Sequence, residues 1–125
     1  ELILAVHAAQ IAEHGGLAGL RDEGLLESAL ARPRNLAAYG APDMFDLAAA
    51  YAFGIASNHP FLDGNKRVAF VASATFLRLH GFSLTAAMEE RVATFLRLAA
   101  GEIDEPTLAA WLRTNSVRRI GKSRK

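Results

Sequence analysis

The sequence predicts an all-α, compact single-domain protein, and three observations support this. Of its 125 residues, 25 are alanine and 17 are leucine, whereas valine and isoleucine together number 10, which favours helix over sheet. Apolar residues recur at helical spacing along most of the chain, with short connections between the periodic segments. A chain of this length fits one domain and can bury a core without disulfide bonds.

The first two helices are predicted from their boundaries. One covers Leu2–His14, with Leu4 and Ile11 on its inward face, and a glycine pair at residues 15–16 ends it. The second follows Asp22, a suitable N-cap, and is expected to end before Pro33 because a proline restricts the residue preceding it.

The stretch 34–42 is predicted as a loop or a short extended flap, because it contains Tyr39, Gly40 and Pro42. A small flap hairpin around Arg34–Met44 is compatible with the all-α prediction.

Two longer helices are predicted in the middle of the chain. Asp43 is expected to cap the third, which runs to about Ser57, and the fourth covers about 65–80 and stops at Gly81. Apolar residues lie almost all round the fourth helix, which therefore is predicted to be the buried central helix.

The last two helices are predicted from capping residues. Thr85 is expected to cap a helix over about 87–100, which ends at Gly101. Asp104 and Pro106, at the N-cap and the first helical position, are expected to open the sixth helix.

Composition excludes several classes of site. The chain has no cysteine, which rules out disulfides, thiolate zinc sites, iron–sulfur clusters and a cysteine nucleophile. No apolar run approaches the ~20 residues of a membrane span, and no signal peptide is visible. We therefore expect a cytoplasmic protein that does not associate with a membrane.

Charge is unevenly distributed along the chain. Residues 116–125 hold five of the 14 basic residues and no acidic one, so residues 1–115 carry nine basic and 13 acidic residues, a net of −4. We predict one domain over 1–115 followed by a basic tail. The tail is interpreted as a solvated, frayed terminus rather than a nucleic-acid contact, because it has no interleaved aromatic residues.

Residues 59–67, His-Pro-Phe-Leu-Asp-Gly-Asn-Lys-Arg, carry the chemistry. Lys66 and Arg67 fall in the first turn of the fourth predicted helix, where cations are unfavourable but, with free backbone N–H groups, create a site for phosphates. Gly64 allows an anion to approach the backbone closely. Asn65 is expected either to donate an amide hydrogen bond to a phosphate or to cap the helix.

Three further residues of this segment are candidates for a role. Asp63 is either a ligand for Mg²⁺ that bridges nucleotide phosphates or the N-cap of the helix, and the residues alone leave both open. His59 is a candidate general base, since imidazole accepts a proton near neutral pH. Phe61 is expected to anchor the loop in the core. The chain contains no Walker P-loop, no protein-kinase signature and no His-Glu-x-x-His zinc motif.

This segment resembles the signature of the Fic/Doc superfamily. Lys66 resembles the death-on-curing toxin branch, whereas adenylyltransferase members have glycine there. The resemblance extends over about 1–115 and includes 13–16, 19–22, 24–30, 76–81 and 100–103.

The resemblance implies that His59 is the base for a target hydroxyl and that Asp63 is a ligand for Mg²⁺. It implies that Phe61 anchors the loop. The residues that it implies hold nucleotide phosphates are Gly64, Asn65, Lys66 and Arg67. It also implies ATP as co-substrate and a helical Fic/Doc fold.

For the death-on-curing branch, the resemblance implies the toxin of a type II toxin–antitoxin system. Such a toxin is a protein kinase that modifies a threonine of elongation factor Tu and arrests translation. A separate antitoxin chain is expected, because the sequence lacks the inhibitory Ser/Thr-x-x-x-Glu-[Gly/Asn] motif of some Fic proteins. Candidates for the antitoxin surface, which core packing explains equally well, are Leu17, Leu20, Leu25 and Leu36.

Other functions stay open from the residues. Pro60 and Gly64 resemble the adenylyltransferases, which transfer AMP to a protein hydroxyl. A non-enzymatic module that binds nucleotide or a partner is a further alternative, although it would have no use for a base beside phosphates. The last is an RNA-cleaving toxin that uses His59 and the basic tail, and nucleic acid is the less expected partner.

Overall fold

A computed structural model describes residues 2–119, which form six helices and one two-stranded antiparallel sheet. In chain order the elements are α1 (Leu2–His14), α2 (Glu23–Tyr39), α3 (Met44–Asn58), α4 (Asn65–Leu79), β1 (Phe82–Leu84), α5 (Met88–Ala99), α6 (Glu105–Thr114) and β2 (Ser116–Arg118). The predicted all-α class is confirmed. None of these helices is both long enough and apolar enough to cross a bilayer.

Aspartate side chains begin three of the helices as the sequence predicts. Asp22 caps α2, and Asp104 caps α6 by accepting a hydrogen bond from the Thr107 N–H at 2.9 Å. Asp43 caps α3 in a reciprocal arrangement, because each of Asp43 and Asp46 accepts a hydrogen bond from the backbone N–H of the other.

Helix α2 continues to Tyr39, so the predicted end before Pro33 and the flap hairpin around 34–44 are both wrong. Proline inside a helix removes one hydrogen bond and costs roughly 3 kcal/mol. Here Leu26, Ala29 and Pro33 are buried along one face of α2, which packs against α3. Burial of this face offsets the cost of the proline.

The central helix is α3, and the prediction that α4 takes this place is wrong. Helix α3 packs against α2, α4, α5 and α6. All but one of its buried residues are alanine or glycine, which lets neighbouring helices approach closely; the buried residues are Ala48, Ala49, Ala50, Ala52, Gly54, Ile55 and Ala56. A Cβ atom at Gly54 would lie 2.9 Å from the Ala29 carbonyl oxygen of α2. The apolar pattern of α4 correctly indicated a helix of the core, but the helix that packs against four other helices is α3.

The inward face of α1 differs from the predicted one. Ile3 and His7 are 8% and 5% exposed, whereas Leu4 is 43% exposed. Ile11 is half-buried, as expected for a residue near the inward face. The pattern misled because a histidine counts as polar, although His7 is buried with a hydrogen-bond partner.

The end of the described chain is ordered by a small sheet. Strands β1 and β2 pair antiparallel, with Phe82 opposite Arg118. Three residues of the predicted basic tail therefore form a strand, so the interpretation of a frayed terminus is wrong for Ser116–Arg118; residues 120–125 lie outside the described part. The predicted boundary at residue 115 stays a prediction.

Two capping details also differ near this sheet. Ala87, and not Thr85, is the N-cap of α5. The backbone N–H and hydroxyl of Thr85 both donate to the Asn115 carbonyl, so Thr85 secures the chain beside β2. Pro106 is the second rather than the first residue of α6, which begins at Glu105.

Candidate active site

The motif loop connects the end of α3 to the start of α4, and His59 is its first residue. His59 is exposed and forms the C-cap of α3 in the left-handed conformation, with φ 50° and ψ 56°. Among the described residues it is the one non-glycine with positive φ. Such a conformation costs about 1–3 kcal/mol and occurs often at functional sites. Pro60 follows, and a residue before a proline is normally extended.

Residues 15–22, here called the N-terminal clasp, run along this loop. The Arg21 N–H donates to the Pro60 carbonyl at 2.6 Å, and the Leu62 N–H donates to the Gly19 carbonyl at 3.1 Å. These bonds form an antiparallel bridge between two segments that the sequence separates by about 40 residues. The clasp therefore fixes the path of the motif loop.

The Asp63 carboxylate is oriented by backbone groups on both sides. Its Oδ1 accepts a hydrogen bond from the Gly64 N–H at 2.9 Å, and its Oδ2 accepts one from the Leu17 N–H at 3.3 Å. A Cβ atom at Gly16 would lie 2.7 Å from Oδ2, so this approach requires glycine. The N-cap of α4 is Gly64, and the alternative of Asp63 as the cap is wrong.

The start of α4 presents positive charge. Gly64 has φ 80°, and no side chain caps the helix, so side chains leave its first N–H groups open to an anion. Lys66 is exposed in the first turn. Arg67 donates from Nη2 to the Gly15 carbonyl at 3.3 Å, while its Nε is buried without a hydrogen-bond partner. An unpaired buried guanidinium N–H fits a site that accepts an anion.

The Asn65 side chain hydrogen-bonds to the loop itself, and its hydrogen bond to a phosphate stays a prediction. Its Oδ1 accepts a hydrogen bond from the Phe61 N–H at 3.0 Å, and its Nδ2 donates to the Phe61 carbonyl at 2.9 Å. Asn65 is the first residue of α4, and its side chain does not cap the helix, so that alternative is wrong. Phe61 is 1% exposed and holds the middle of the loop in the core.

His7 of α1 also contacts this loop, although it was not among the residues predicted from the sequence. Its ring stacks on the Phe61 ring, with centroids 3.9 Å apart and planes 7° apart. Its Nε2 donates to the Asp63 carbonyl at 2.9 Å. A histidine within an otherwise apolar helix face was the available signal, but nothing in the sequence relates it to Asp63, 56 residues further along the chain.

The residues present fit a Mg²⁺–nucleotide pair rather than a metal held by protein alone. Within residues 2–119, no three histidine, aspartate or glutamate side chains gather into a metal site. Mg²⁺ bound with a nucleotide requires only one or two carboxylates, and water and phosphate oxygens complete its shell. Asp63 is the carboxylate available beside the open start of α4.

Comparison with known proteins gives the family. The model of the Fic/DOC family matches residues 1–77, which include the whole motif. The chain belongs to the Fic/DOC family. It is 35% identical over 114 residues to "Protein kinase doc" of Escherichia phage P1, with 90% of each chain covered. It is 40% identical over 103 residues to "Toxin Doc" of Mycolicibacterium smegmatis, with 78% of each chain covered.

The family resemblance seen in the motif is thus confirmed, and the Fic/DOC match also includes α1 and the clasp. The clasp presents two of the predicted antitoxin-contact residues, since Leu17 is 65% exposed and Leu20 is 36% exposed. The other two, Leu25 and Leu36, are half-buried in α2. Beside the clasp, Leu62 of the motif loop is also exposed.

Proposed function

We propose that this chain is a toxin kinase that transfers the γ-phosphoryl group of ATP to a Ser or Thr hydroxyl of a protein. One observation carries the proposal: two cations, Lys66 and Arg67, stand in the first turn of a helix whose N-cap, Gly64, offers no capping side chain. Such a helix start is unfavourable without an anion. His59 and Asp63 lie on the loop that leads into it.

In the proposed reaction, the target hydroxyl oxygen attacks the γ-phosphorus of ATP. The bond from that phosphorus to the β–γ bridging oxygen breaks, and ADP leaves with the electron pair. His59 accepts the proton of the hydroxyl. Lys66, Arg67 and the open N–H groups of α4 stabilise the charge on the phosphate oxygens, the part of phosphoryl transfer that depends most on the protein.

Asp63 is the residue that would hold Mg²⁺. The ion would neutralise phosphate charge and orient the nucleotide. The hydrogen bonds from Leu17 and Gly64 keep the carboxylate in place without adding a competing charge. Phe61 and Asn65 act through the loop, because the contacts of both serve to fix its backbone.

Transfer of AMP to the hydroxyl is the second candidate, in which attack at the α-phosphorus releases pyrophosphate. Pro60 and Gly64 favour it by their resemblance to adenylyltransferases. Lys66 favours the kinase, because its side chain adds volume and charge where those enzymes have glycine. The relative named "Protein kinase doc" supports the same choice.

Two partners belong to the proposal. Elongation factor Tu is the proposed target, and its modification would arrest translation in the cytoplasm. A co-encoded antitoxin chain of a type II system is the proposed inhibitor. The relative named "Toxin Doc" supports the toxin assignment. The exposed leucines of the clasp, Leu17 and Leu20, are a candidate part of the antitoxin surface.

The test incubates the purified protein with Mg²⁺ and elongation factor Tu, using ATP labelled at the γ-phosphate or, separately, at the α-phosphate. We expect label from the γ position only. In His59→Ala we expect the rate to fall by about 10²–10⁴-fold, the effect that loss of a general base typically has. His80→Ala is the matched control, because His80 is also an exposed histidine that caps a helix C-terminus.

Each other result has a defined meaning. Transfer of the α label would establish AMP transfer. It would reject the inference that Lys66 indicates a kinase. Equal activity of His59→Ala and wild type would reject His59 as the base. Absence of both labels from elongation factor Tu would reject that target, and a labelling screen of whole cell extract would then test transfer itself.

A further inference from the structure

The side chain of Arg21 contacts the backbone on which His59 sits. Its Nε donates to the His59 carbonyl at 2.7 Å, and its Nη2 donates to the Asn58 carbonyl at 2.9 Å. Both distances are those of charge-assisted hydrogen bonds. The planar guanidinium thus holds two consecutive carbonyl groups at fixed positions, a geometry that lysine cannot reproduce.

These carbonyls lie at the C-terminus of α3, where helix carbonyls lack partners within the helix. The end of the helix also carries partial negative charge, which a cation complements. The backbone N–H of Arg21 donates to the Pro60 carbonyl, so the main chain of Arg21 is itself fixed beside the loop. Arg21 therefore contacts three carbonyl groups in sequence, those of residues 58–60.

We propose that Arg21 is a positioning residue for His59, an inference that rests on the proposed role of His59 as the base. The left-handed conformation of His59 is unfavourable for a residue with a side chain and, in addition, precedes a proline. Without the two hydrogen bonds from Arg21, His59 is free to relax toward an extended backbone. That change would redirect its Cα–Cβ bond and move the imidazole away from the target hydroxyl.

The role is separate from nucleotide binding. Arg21 hydrogen-bonds to residues before Phe61, whereas the residues that are proposed to bind phosphate begin at Gly64. Removal of its side chain should therefore change the rate of transfer more than the affinity for ATP. A displacement of about 1 Å in a reacting group can cost about 100-fold in rate.

The kinetic test compares Arg21→Ala and Arg21→Lys with wild type in the γ-label assay. We expect kcat to fall about 10- to 100-fold in Arg21→Ala, with the KM for ATP changed less than about twofold, and an intermediate kcat in Arg21→Lys. Arg32→Ala is the matched control, because Arg32 also donates through Nε and Nη2, but to Glu105. A purely stabilising role would make the two alanine variants alike, with each rate following the folded fraction.

The second readout is the backbone of His59 in the protein without nucleotide. The three-bond coupling of its amide proton, measured by NMR to both the α proton and Cβ, reports φ. We expect this coupling to change in Arg21→Ala and to match wild type in Arg32→Ala. An unchanged coupling in Arg21→Ala, or a kcat within about twofold of an active wild type, would overturn the proposal.

The NMR measurement also separates the two proposals. If wild type transfers no label while the coupling still changes in Arg21→Ala, the proposed function fails and the control of His59 geometry by Arg21 stands. If wild type is active and the coupling does not change, the proposed function stands and the role of Arg21 is rejected.

Discussion

The ring of His7 stacks face to face on the ring of Phe61, with centroids 3.9 Å apart and planes 7° apart. The same imidazole donates a hydrogen bond to the Asp63 carbonyl at 2.9 Å. Helix α1 therefore contacts the motif loop at its buried anchor and at its carboxylate residue. A change in α1 should accordingly alter the site as well as the stability of the fold.

Substitution of His7 should separate these two contributions. His7→Phe keeps an aromatic ring but removes the donor, which leaves the Asp63 carbonyl without this hydrogen bond and should cost about 1 kcal/mol. His7→Ala also removes the stacked ring and should cost about 2–4 kcal/mol. Urea unfolding at neutral pH measures both losses of stability. Nucleotide binding should require more Mg²⁺ in His7→Phe than in wild type. Equal stability of the two variants would contradict the stacking contribution.

Gly54→Ala should destabilise the fold although it replaces a glycine within a helix. A Cβ atom there would lie 2.9 Å from the Ala29 carbonyl, and overpacking of this kind costs about 1–3 kcal/mol. Gly24→Ala is the control, because its Cβ would meet a side-chain oxygen of Asp22 at 3.2 Å and no backbone atom of another helix within 4 Å. Urea unfolding should show a loss for Gly54→Ala and a change within about 0.5 kcal/mol for Gly24→Ala.

Much of the fold could be predicted because local chemistry decides where these helices begin. Asp22, Asp43 and Asp104 each cap the helix that follows, as their side chains favour. The prediction failed at Pro33, where packing against α3 outweighs the local preference of proline. It failed again in the choice of central helix, since α3 owes its place to small residues rather than to large apolar ones.

The candidate site could be located from the motif but not assembled from it. Residues 59–67 are contiguous, so their identities were visible in the sequence. The groups that orient them come from elsewhere: Arg21 and the glycines of the clasp, and His7 of α1. These contacts depend on how distant segments pack, which helical periodicity does not report.

The contact between Arg113 and Asp43 should make the stability of the fold vary with pH in the acidic range. Burial alone would raise the pKa of Asp43, but hydrogen bonds from the Asp46 backbone and from Arg113, and the charge of Arg113, lower this pKa below its usual value of 3.8. A carboxyl pKa that is lower in the folded state stabilises the fold at pH values above the usual pKa. This contribution is lost as pH falls through the folded-state pKa. Stability should therefore decrease on acidification below about pH 4.

Arg113→Met tests this link. At pH 6 it should be less stable than wild type by up to about 1 kcal/mol, a small effect because both side chains are nearly half exposed. Near pH 2 the difference should shrink, because protonated Asp43 no longer pairs with Arg113. Arg97→Met is the control, since Arg97 and Glu102 are 3.7 Å apart and more exposed, and it should change stability little at either pH. A difference that stays constant with pH would contradict the assignment.

Gly16→Ala should impair the site through Asp63. Its Cβ would lie 2.7 Å from Asp63 Oδ2, and its φ of 114° is unfavourable for alanine, so the carboxylate must shift. Gly15→Ala is a matched control, because Gly15 also has positive φ, at 84°, but apart from its chain neighbours no residue has an atom within 4 Å of its Cβ position. Both should lose about 1 kcal/mol of stability from backbone strain. Only Gly16→Ala should require more Mg²⁺ for nucleotide binding and lose more than about 10-fold in transfer, since its carboxylate no longer meets the ion as in wild type. Equal Mg²⁺ requirements in the two variants would show that the position of Asp63 does not depend on this close approach.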